Sequence, residues 1–279
     1  MSPHEHTHEL RAESLSLAYD ERRVVDDLDV SIPPARVTVI VGANACGKST
    51  LLRGLARLLA PRSGRVVLDG QDIGSRRSID VAKVLGLLPQ SPVAPDGITV
   101  SDLVGRGRYP HQGWFRTWSA EDDTAVEAAL EATGTADLAG RRLDELSGGQ
   151  RQRVWVAMAL AQQTDLLLLD EPTTFLDIHH QVELLDLLTD LNRDRGTTVV
   201  LVLHDLNLAC RYADHLIAMK AGRIVAEGAP REVVTAELVT EVFDLACAVV
   251  PDPVSGTPMV VPRGRHHSGA ADRADLVRG

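Results

Sequence analysis

The chain has 279 residues, with 29 Lys and Arg against 39 Asp and Glu, which gives a formal net charge of −10. This length lies slightly above the size at which one hydrophobic core stops growing, so we expect one domain with a subdomain rather than two independent domains. The acidic balance argues against a protein that neutralises phosphate backbones, so nucleic acid is not an expected partner.

The cysteines and the apolar runs narrow the class of protein further. Cys46, Cys210 and Cys247 are odd in number and far apart, which predicts neither a disulfide framework nor a zinc site and is typical of a reducing cytosol. The longest apolar runs, Leu166–Leu169 and Val199–Leu203, are far shorter than the ~20 residues of a spanning helix. The polar N-terminus lacks the apolar region of a signal peptide. We therefore expect a chain that neither crosses a membrane nor is secreted.

The first part of the chain predicts strands followed by a loop and a helix. Residues 1–8 alternate histidine with small or charged residues and are predicted to be a disordered tail, with a metal tether as the alternative; the domain is expected to span 9–262. Alternating apolar residues from Glu13 to Ile32 predict half-buried antiparallel strands. Val37 to Val41 is apolar at nearly every position, which predicts a strand buried on both faces, and a helix is predicted from Ser49 to Leu59.

The second part predicts an inserted helical subdomain and then a parallel sheet. Residues 91–163 are rich in predicted helix, including Ala120 to Thr133 and a helix beginning near Ser147. The dipeptide Ala221-Gly222 predicts a hairpin, and residues 263–279 have no periodicity and are predicted to be disordered. Between them, strands and helices alternate as in a parallel sheet: strand Leu166–Leu169, helix Ile178–Arg195, strand Thr198–Leu203 and helix Leu206–Ala213. The predicted fold class is α/β, with a mixed parallel core sheet, an antiparallel β subdomain and the helical insertion.

A phosphate-binding loop is predicted between the buried strand and its helix. Residues 42–50 read GANACGKST and match the pattern G-x-x-x-x-G-K-[ST], whose backbone N–H groups and helix N-terminus cradle phosphates. Lys48 is expected to contact the β and γ phosphates, and Ser49 is expected to hold Mg²⁺. Cys46 lies close to the expected phosphates, with a small filler residue as the alternative interpretation. The other nucleotide-binding residues predicted in this loop are Gly42, Asn44, Gly47 and Thr50.

Two further motifs accompany the loop. An apolar strand ends in Asp170 and Glu171, which would place Asp170 near the Mg²⁺ and a second carboxylate at the strand end, although such a pattern alone is mostly structural. Residues 146–150 read LSGGQ, a second glycine-containing turn that enters a helix and forms a second potential anion site.

With these motifs in this order, the sequence resembles the ATPase subunits of ABC transporters over roughly Leu10 to Pro251. The resemblance implies the P-loop NTPase (ABC ATPase) fold and binding of ATP and Mg²⁺. It departs from the family at Ala43 and Ala45, where many members have Pro and Gly, which puts the flexibility of the loop in doubt rather than its binding. The resemblance also implies a signature that closes over the γ-phosphate bound by the opposite subunit, formed by Ser147, Gly148, Gly149 and Gln150.

The resemblance assigns four more residues. Tyr19 corresponds to the aromatic residue that stacks on adenine, with packing in the core as the alternative. Gln90 corresponds to the glutamine that senses Mg²⁺ and water and joins the two subdomains. Asp177 lies in the loop that communicates across the dimer. His204 corresponds to the switch histidine that contacts the γ-phosphate, and its place at the carboxyl end of a strand favours a function.

Glu171 is expected to polarise the attacking water, because phosphoryl transfer needs mainly positioning and charge stabilisation. The other predicted catalytic residues are Gln90, Lys48 and His204, and the predicted metal ligands are Ser49, Gln90 and Asp170.

One phosphate loop and one signature, without a membrane segment, predict a head-to-tail homodimer bound to separate permease subunits. It would be peripheral, at the cytoplasmic face of the membrane, with a substrate-binding protein as an indirect partner. Arg106 to Trp118 holds four of the chain's nine aromatic residues. Because Tyr, Trp and Arg are typical of interface anchors, this segment predicts a docking surface for the membrane partner, with local packing as the alternative.

The residues at 106–112 (RGRYPHQ), 150–163 and 171–178 closely resemble those of ferric-siderophore importer ATPases, and cobalamin and haem importers are near relatives. One rival is a soluble ABC ATPase acting on DNA or ribosomes, which usually carries tandem cassettes, coiled-coil insertions or a basic surface. A second rival is a nucleotide-binding switch that rarely hydrolyses ATP, which Glu171 and His204 disfavour.

Overall fold

The computed structural model describes residues 8–112, 118–264 and 266. Its strands are β1 Leu10–Tyr19, β2 Arg22–Ile32, β3 Val37–Gly42, β4 Ser63–Leu68, β5 Gln71–Asp72, β6 Leu85–Leu88, β7 Leu166–Asp170, β8 Thr198–Val202, β9 His215–Lys220, β10 Arg223–Gly228, β11 Cys247–Pro251 and β12 Pro258–Pro262. Its α-helices are α1 Lys48–Leu55, α2 Ser78–Val84, α3 Val100–Gly105, α4 Ala120–Ala132, α5 Gly148–Ala161, α6 Ile178–Arg195, α7 Leu206–Tyr212, α8 Pro230–Val233 and α9 Ala236–Phe243.

The central sheet has six strands in the order β10-β9-β3-β8-β7-β6. Neighbours from β9 to β6 are parallel, and only β10 is antiparallel to its neighbour. In the parallel register Leu169 pairs with Leu201 and with Leu88, so the carboxyl ends of β6, β7 and β8 lie at one edge. This is the edge at which parallel sheets bind ligands.

A second sheet is antiparallel, in the order β2-β1-β4-β5. The hairpin of β1 and β2 pairs Leu10 with Ile32 at one end and Tyr19 with Arg22 at the other. A separate antiparallel pair, β11 and β12, follows near the end of the described chain. The predicted antiparallel β subdomain is confirmed.

Both faces of the central sheet are buried, as the apolar run of β3 predicts. Val39 and Val41 pack in a core shared with the helices between β6 and β7, whereas Ile40 packs in a second core with the antiparallel sheet and α1. The mixed parallel sheet, the antiparallel subdomain and the helical insertion therefore match the predicted fold class. The boundaries of the insertion at 91 and 163 stay a prediction.

The described residues correct the predicted end of the first helix. Helix α1 ends at Leu55 rather than at Leu59, because Arg57 takes a left-handed φ of 61° that does not continue the helix. At the edges of the predicted tails, His8 Nδ1 lies 2.9 Å from Asp69 Oδ2, and the Arg263 N–H donates to the Ala246 carbonyl at 2.8 Å. The boundaries of the tails stay a prediction.

The remaining tail predictions, for residues 1–7, 265 and 267–279, lie outside the described residues, as do positions 113–117 of the aromatic segment. Within the part of the chain that the structure describes, no helix combines the length and the apolar character needed to span a membrane.

Candidate active site

A cleft of about 710 Å³ lies where the phosphate loop meets the carboxyl ends of the parallel strands. It brings together residues from the antiparallel sheet, from the loop and α1, and from the segments that follow β6, β7 and β8. Its lining consists of Tyr19, Asp20, Arg22, Val24, Asn44, Ala45, Cys46, Gly47, Lys48, Ser49, Thr50, Gln90, Glu171 and His204.

The phosphate loop ends in a helix N-terminus that no side chain caps. Gly47 is the N-cap of α1, with a φ of 109° and no side-chain hydrogen bond. The first N–H groups of a helix have no intrahelical partner, so those of α1 remain available to an anion. At the loop's start, a Cβ on Gly42 would lie 2.3 Å from the Met219 carbonyl oxygen, so the close approach of β9 requires glycine there.

Lys48 is a buried cation of this cleft, with only 5% of its surface exposed. Its Nζ donates to the carbonyl oxygens of Gly42 at 2.8 Å and Ala43 at 3.1 Å. Both acceptors are neutral, so they satisfy two of the three donors of the ammonium group without cancelling its charge. A buried positive charge in this position favours a bound anion.

Asp170 and Ser49 form a polar pair beside Lys48. The Ser49 hydroxyl donates to Asp170 Oδ1 at 2.8 Å, while Asp170 Oδ2 is buried without a hydrogen-bond partner. Burial raises the pKa of Asp170, the Ser49 hydrogen bond partly offsets this, and the neighbouring Glu171 carboxylate raises it further. A buried carboxylate oxygen without a donor is a suitable ligand for a hard cation, so the pair fits a Mg²⁺ ion.

Among the described residues, no group of three or more His, Cys, Asp and Glu side chains is arranged to hold a metal ion. A Mg²⁺ ion in this cleft would therefore depend on the Ser49 hydroxyl, the single Asp170 carboxylate, the amide oxygen of Gln90 and oxygens from outside the chain. That ligand set is typical of Mg²⁺ bound together with a nucleotide.

Glu171 directly follows β7 and contacts side chains that follow β6 and β8. Gln90 Nε2 donates to Glu171 Oε2 at 2.7 Å, and His204 Nε2 lies 2.6 Å from Oε1. The φ of Glu171 is 55°, a left-handed conformation that costs about 1–3 kcal/mol for a residue with a side chain and is frequent at functional sites. The parallel order of β6, β7 and β8 thus gathers three side chains that are distant in the sequence.

Tyr19 lies at the outer end of the cleft. It is 41% exposed, and its hydroxyl accepts a hydrogen bond from Arg53 at 3.2 Å. The alternative of a tyrosine packed in the core is therefore wrong. The sequence analysis missed Asp20, Arg22 and Val24, which line the same cleft. Their signal was the tight turn that directly follows Tyr19 and returns the chain past the loop.

The predicted signature residues lie elsewhere in the chain. Ser147 caps α5, accepting the Gln150 N–H at 3.2 Å while Gln150 Oε1 accepts the Ser147 N–H at 3.1 Å. Gly148 lies beside the exposed Phe175, and a Cβ on it would be 3.4 Å from the Phe175 Cβ. Asp177 likewise caps α6 through the His180 N–H at 3.0 Å. As far as the chain is described, none of these residues lines the cleft that contains Lys48.

The comparisons with known proteins agree with these motifs. The model of the family described as ABC transporter matches residues 25–174, a stretch that includes the phosphate loop, the signature, Asp170 and Glu171. The chain belongs to the ABC transporter family.

This ABC protein is 56% identical over 256 residues to the "Probable siderophore transport system ATP-binding protein YusV" of Bacillus subtilis (strain 168), across 92% of this chain and 93% of the relative. It is also 56% identical over 256 residues to the ferric enterobactin transport ATP-binding protein FepC of Escherichia coli (strain K12), across 92% and 94%. Its fold resembles the dimeric structure of MJ0796, a bacterial ABC transporter cassette, with a TM-score of 0.72, 27% identity, and 79% of this chain and 98% of that chain covered.

The predicted aromatic segment of this ABC protein is exposed at some positions and buried at others. In the aromatic segment Arg106 to Trp118, Tyr109 is 57% exposed and Trp118 46% exposed, whereas Arg108 is buried. Local packing therefore holds at Arg108, the docking surface stays a prediction, and Trp114 and Phe115 lie outside the described residues.

Cys46 lies beneath the phosphate loop and is buried, with its Sγ only 2.7 Å from where a Cβ on Gly42 would lie. Burial raises the pKa of its thiol, and the charge of Lys48 partly offsets this. The packing favours a filler role for the Cys46 side chain, while its backbone belongs to the loop.

The backbone conformation of Ala45 bears on one departure from the family pattern. Its φ of 60° is left-handed, a conformation that costs about 1–2 kcal/mol for a residue with a Cβ. Glycine takes this conformation without that cost, which explains why many members of the family have glycine at this position.

Proposed function

We propose that this chain is the ATP-hydrolysing subunit of an importer for a ferric siderophore. It works as a head-to-tail homodimer at the cytoplasmic face of the membrane, docked on separate permease subunits that receive their cargo from a substrate-binding protein. The observation that carries the ATPase proposal is Glu171, which contacts both Gln90 and His204 in the cleft of Lys48. The names of the two relatives at 56% identity support the cargo.

The cleft binds the phosphates of ATP at the uncapped N-terminus of α1. Lys48 exchanges its two carbonyl acceptors for phosphate oxygens, which supply the negative charge that the carbonyls lack. Tyr19 stacks on the adenine from the outer end of the cleft. The loop residues Gly42, Asn44, Cys46, Gly47 and Thr50 complete the nucleotide site.

Ser49, Asp170 and Gln90 would hold the Mg²⁺, which supplies neutralisation of phosphate charge when bound. Asp170 contributes the carboxylate oxygen that has no hydrogen-bond partner. The Ser49 hydroxyl, now on Asp170 Oδ1, is close enough to serve the same ion.

Glu171 accepts a proton from the attacking water. The water oxygen forms a bond to the γ-phosphorus, the bond from that phosphorus to the β–γ bridging oxygen breaks, and ADP departs with the electron pair. His204 contacts the γ-phosphate, and Gln90 holds the Glu171 carboxylate in place.

A second copy completes each site. Ser147 to Gln150 form an exposed, already capped helix entry that is free to close over a γ-phosphate bound by the partner, with Asp177 in the loop beside it. The likeness to a dimeric cassette structure supports this arrangement.

The exposed rings of Tyr109 and Trp118 supply the permease docking surface. They lie on the helical insertion, which also contains α5 and its signature turn. Aromatic residues are enriched at such contacts, where they bury a large area.

The test is a deletion strain. Cells without this chain should grow normally in iron-replete medium but should fail to take up one labelled ferric siderophore. The Glu171→Gln variant should not restore uptake, whereas the wild-type chain should. Normal uptake of every labelled ferric siderophore, together with loss of cobalamin or haem uptake, would refute the iron cargo and retain the transport ATPase. Normal uptake of all three cargo classes would favour the soluble ATPase rival.

A further inference from the structure

The segment that contains Tyr109 packs against the C-terminal end of α5. A Cβ on Gly107 would lie 2.3 Å from the Met158 carbonyl oxygen, so the two backbones are in direct contact. Arg108 Nη1 donates to the Ala161 carbonyl at 2.8 Å, and the His111 ring nitrogen lies 2.7 Å from the Gln162 carbonyl. The last carbonyls of a helix lack intrahelical partners, and basic side chains there complement the helix dipole.

Arg108 joins three elements at this point. It is 2% exposed, and besides α5 its guanidinium donates to Asp122 Oδ1 of α4 at 2.9 Å and to Gln163 Oε1 at 2.9 Å. Asp122 also accepts a hydrogen bond from the Ser119 N–H. The hydrogen bond from Arg108 is the main cause that holds the pKa of Asp122 below its usual range, and those from Ser119 lower it further. Both oxygens of Asp122 and three of the five N–H groups of Arg108 therefore have hydrogen-bond partners.

A buried ion pair of this kind is weak evidence of a stabilising role, because apolar replacements of similar volume are often neutral or better. Its geometry is more informative. A guanidinium is a planar fork, and one that contacts three acceptors fixes their relative positions in a way that an ammonium group does not. Arg108 thus fixes residues 106–112 against α4 and α5.

α5 extends from this junction to the signature. Its 14 residues from Gly148 to Ala161 span ~21 Å at 1.5 Å a residue, with Ser147 at the far end. The same junction also contacts the chain just before β6, because Gln162 Nε2 donates to the Ala82 carbonyl at 2.6 Å. β6 in turn ends two residues before Gln90.

We propose that Arg108 is a positioning residue that makes residues 106–112, α4 and α5 one rigid body, so that a permease moving Tyr109 and Trp118 displaces the signature at the opposite end of α5. The inference rests on the proposed function, because it needs a permease at that surface. It adds to that function the residue through which the movement passes.

The test compares Arg108→Lys with Arg65→Lys, an exposed arginine paired with Glu13 on the antiparallel sheet. Two activities are measured: the basal ATPase of the purified chain, and the ATPase of the membrane complex that co-purifies with a tag on the chain. For Arg108→Lys the basal rate and the ATP affinity should stay as in the wild type. The ratio of complex to basal activity should fall about 2- to 30-fold, the scale of substitutions in coupling networks. Arg65→Lys should leave the ratio unchanged.

A second variant covers the case in which Arg108→Lys does not fold. Gln162→Met keeps a similar volume and removes the amide that contacts the Ala82 carbonyl, and it should lower the same ratio at unchanged basal rate. The inference is overturned if the folded variants keep the wild-type ratio, or if basal and complex activities fall together as for an ordinary structural residue. If the wild-type chain co-purifies no membrane protein, the docking part of the proposed function fails, and this is recognised without any variant.

Discussion

Two helices of this chain begin in glycine-containing turns, yet their N-termini are built differently. α1 begins inside the cleft after Gly47, without any side-chain cap, beside the buried Lys48. α5 begins at an exposed turn, and Ser147 and Gln150 satisfy each other's N–H groups in a capping box. The first N-terminus has no side-chain cap, whereas the second has a capping box that leaves the N–H groups of Gly148 and Gly149 open. In the proposed dimer, this difference separates a site that binds within one chain from a surface that closes over the nucleotide of the partner.

The largest expected effect concerns the cleft of α1. Replacing Glu171 by Gln keeps the shape and removes the proton acceptor, so ATP binding should persist while hydrolysis slows roughly 10² to 10⁴-fold. The ATP-bound dimer should then accumulate, which size-exclusion chromatography with ATP would detect. Glu127→Gln, at an exposed position of α4, is the matched control. Near wild-type turnover by Glu171→Gln would remove Glu171 from its assigned role.

The division between the two N-termini is tested by mixing variants. Lys48→Ala should disable the site of its own chain, and Ser147→Arg should block the signature that acts on the partner's ATP, so each variant alone should be inactive. Mixed dimers should regain up to one working site. If mixed dimers form, as a two-tag pull-down would establish, and show no more activity than the separate variants, the shared site is wrong.

A smaller effect probes the space under the phosphate loop. Alkylation of Cys46 should inactivate the enzyme, because the added group displaces the loop, and Mg-ATP should slow the reaction. The thiolate is the reactive species, and the raised pKa of Cys46 keeps it scarce at neutral pH. The inactivation rate should therefore continue to rise above the ordinary thiol pKa of about 8.5. Equal inactivation of Cys46→Ser would locate the sensitive thiol at Cys210 or Cys247.

The smallest expected effect is on stability, when the N-cap side chains of two helices are removed. Ser147→Ala should lower the free energy of unfolding by about 1 kcal/mol, the usual cost of losing an N-cap side chain, and should also lower ATPase activity. Thr235→Ala removes the equivalent cap of α9, where Thr235 accepts the Leu238 N–H at 3.2 Å, and should cost about the same stability with unchanged ATPase. Chemical denaturation and ATPase assays measure both. Equal ATPase in the two variants would reduce Ser147 to a structural cap.

Local features of the chain were predictable because they depend on neighbouring residues. The phosphate loop is one continuous segment from Gly42 to Thr50, and α6 spans Ile178–Arg195 as predicted, between an N-cap at Asp177 and a left-handed Gly196. The loss of one turn from α1 was not predictable, because the left-handed Arg57 contacts the carbonyls of Gly74 and Arg76 in another element.

The sequence by itself determined the fold class, the phosphate loop and the motifs, because hydrophobic periodicity and glycine-containing turns act over a few residues. Only the tertiary structure decided that Gln90, Glu171 and His204 meet, since this depends on the order of β6, β7 and β8 in the sheet. It also decided that Arg108, which the sequence places in an interface segment, is buried on α5. Both outcomes depend on which distant surfaces pack together and exclude water, and no local pattern encodes that choice.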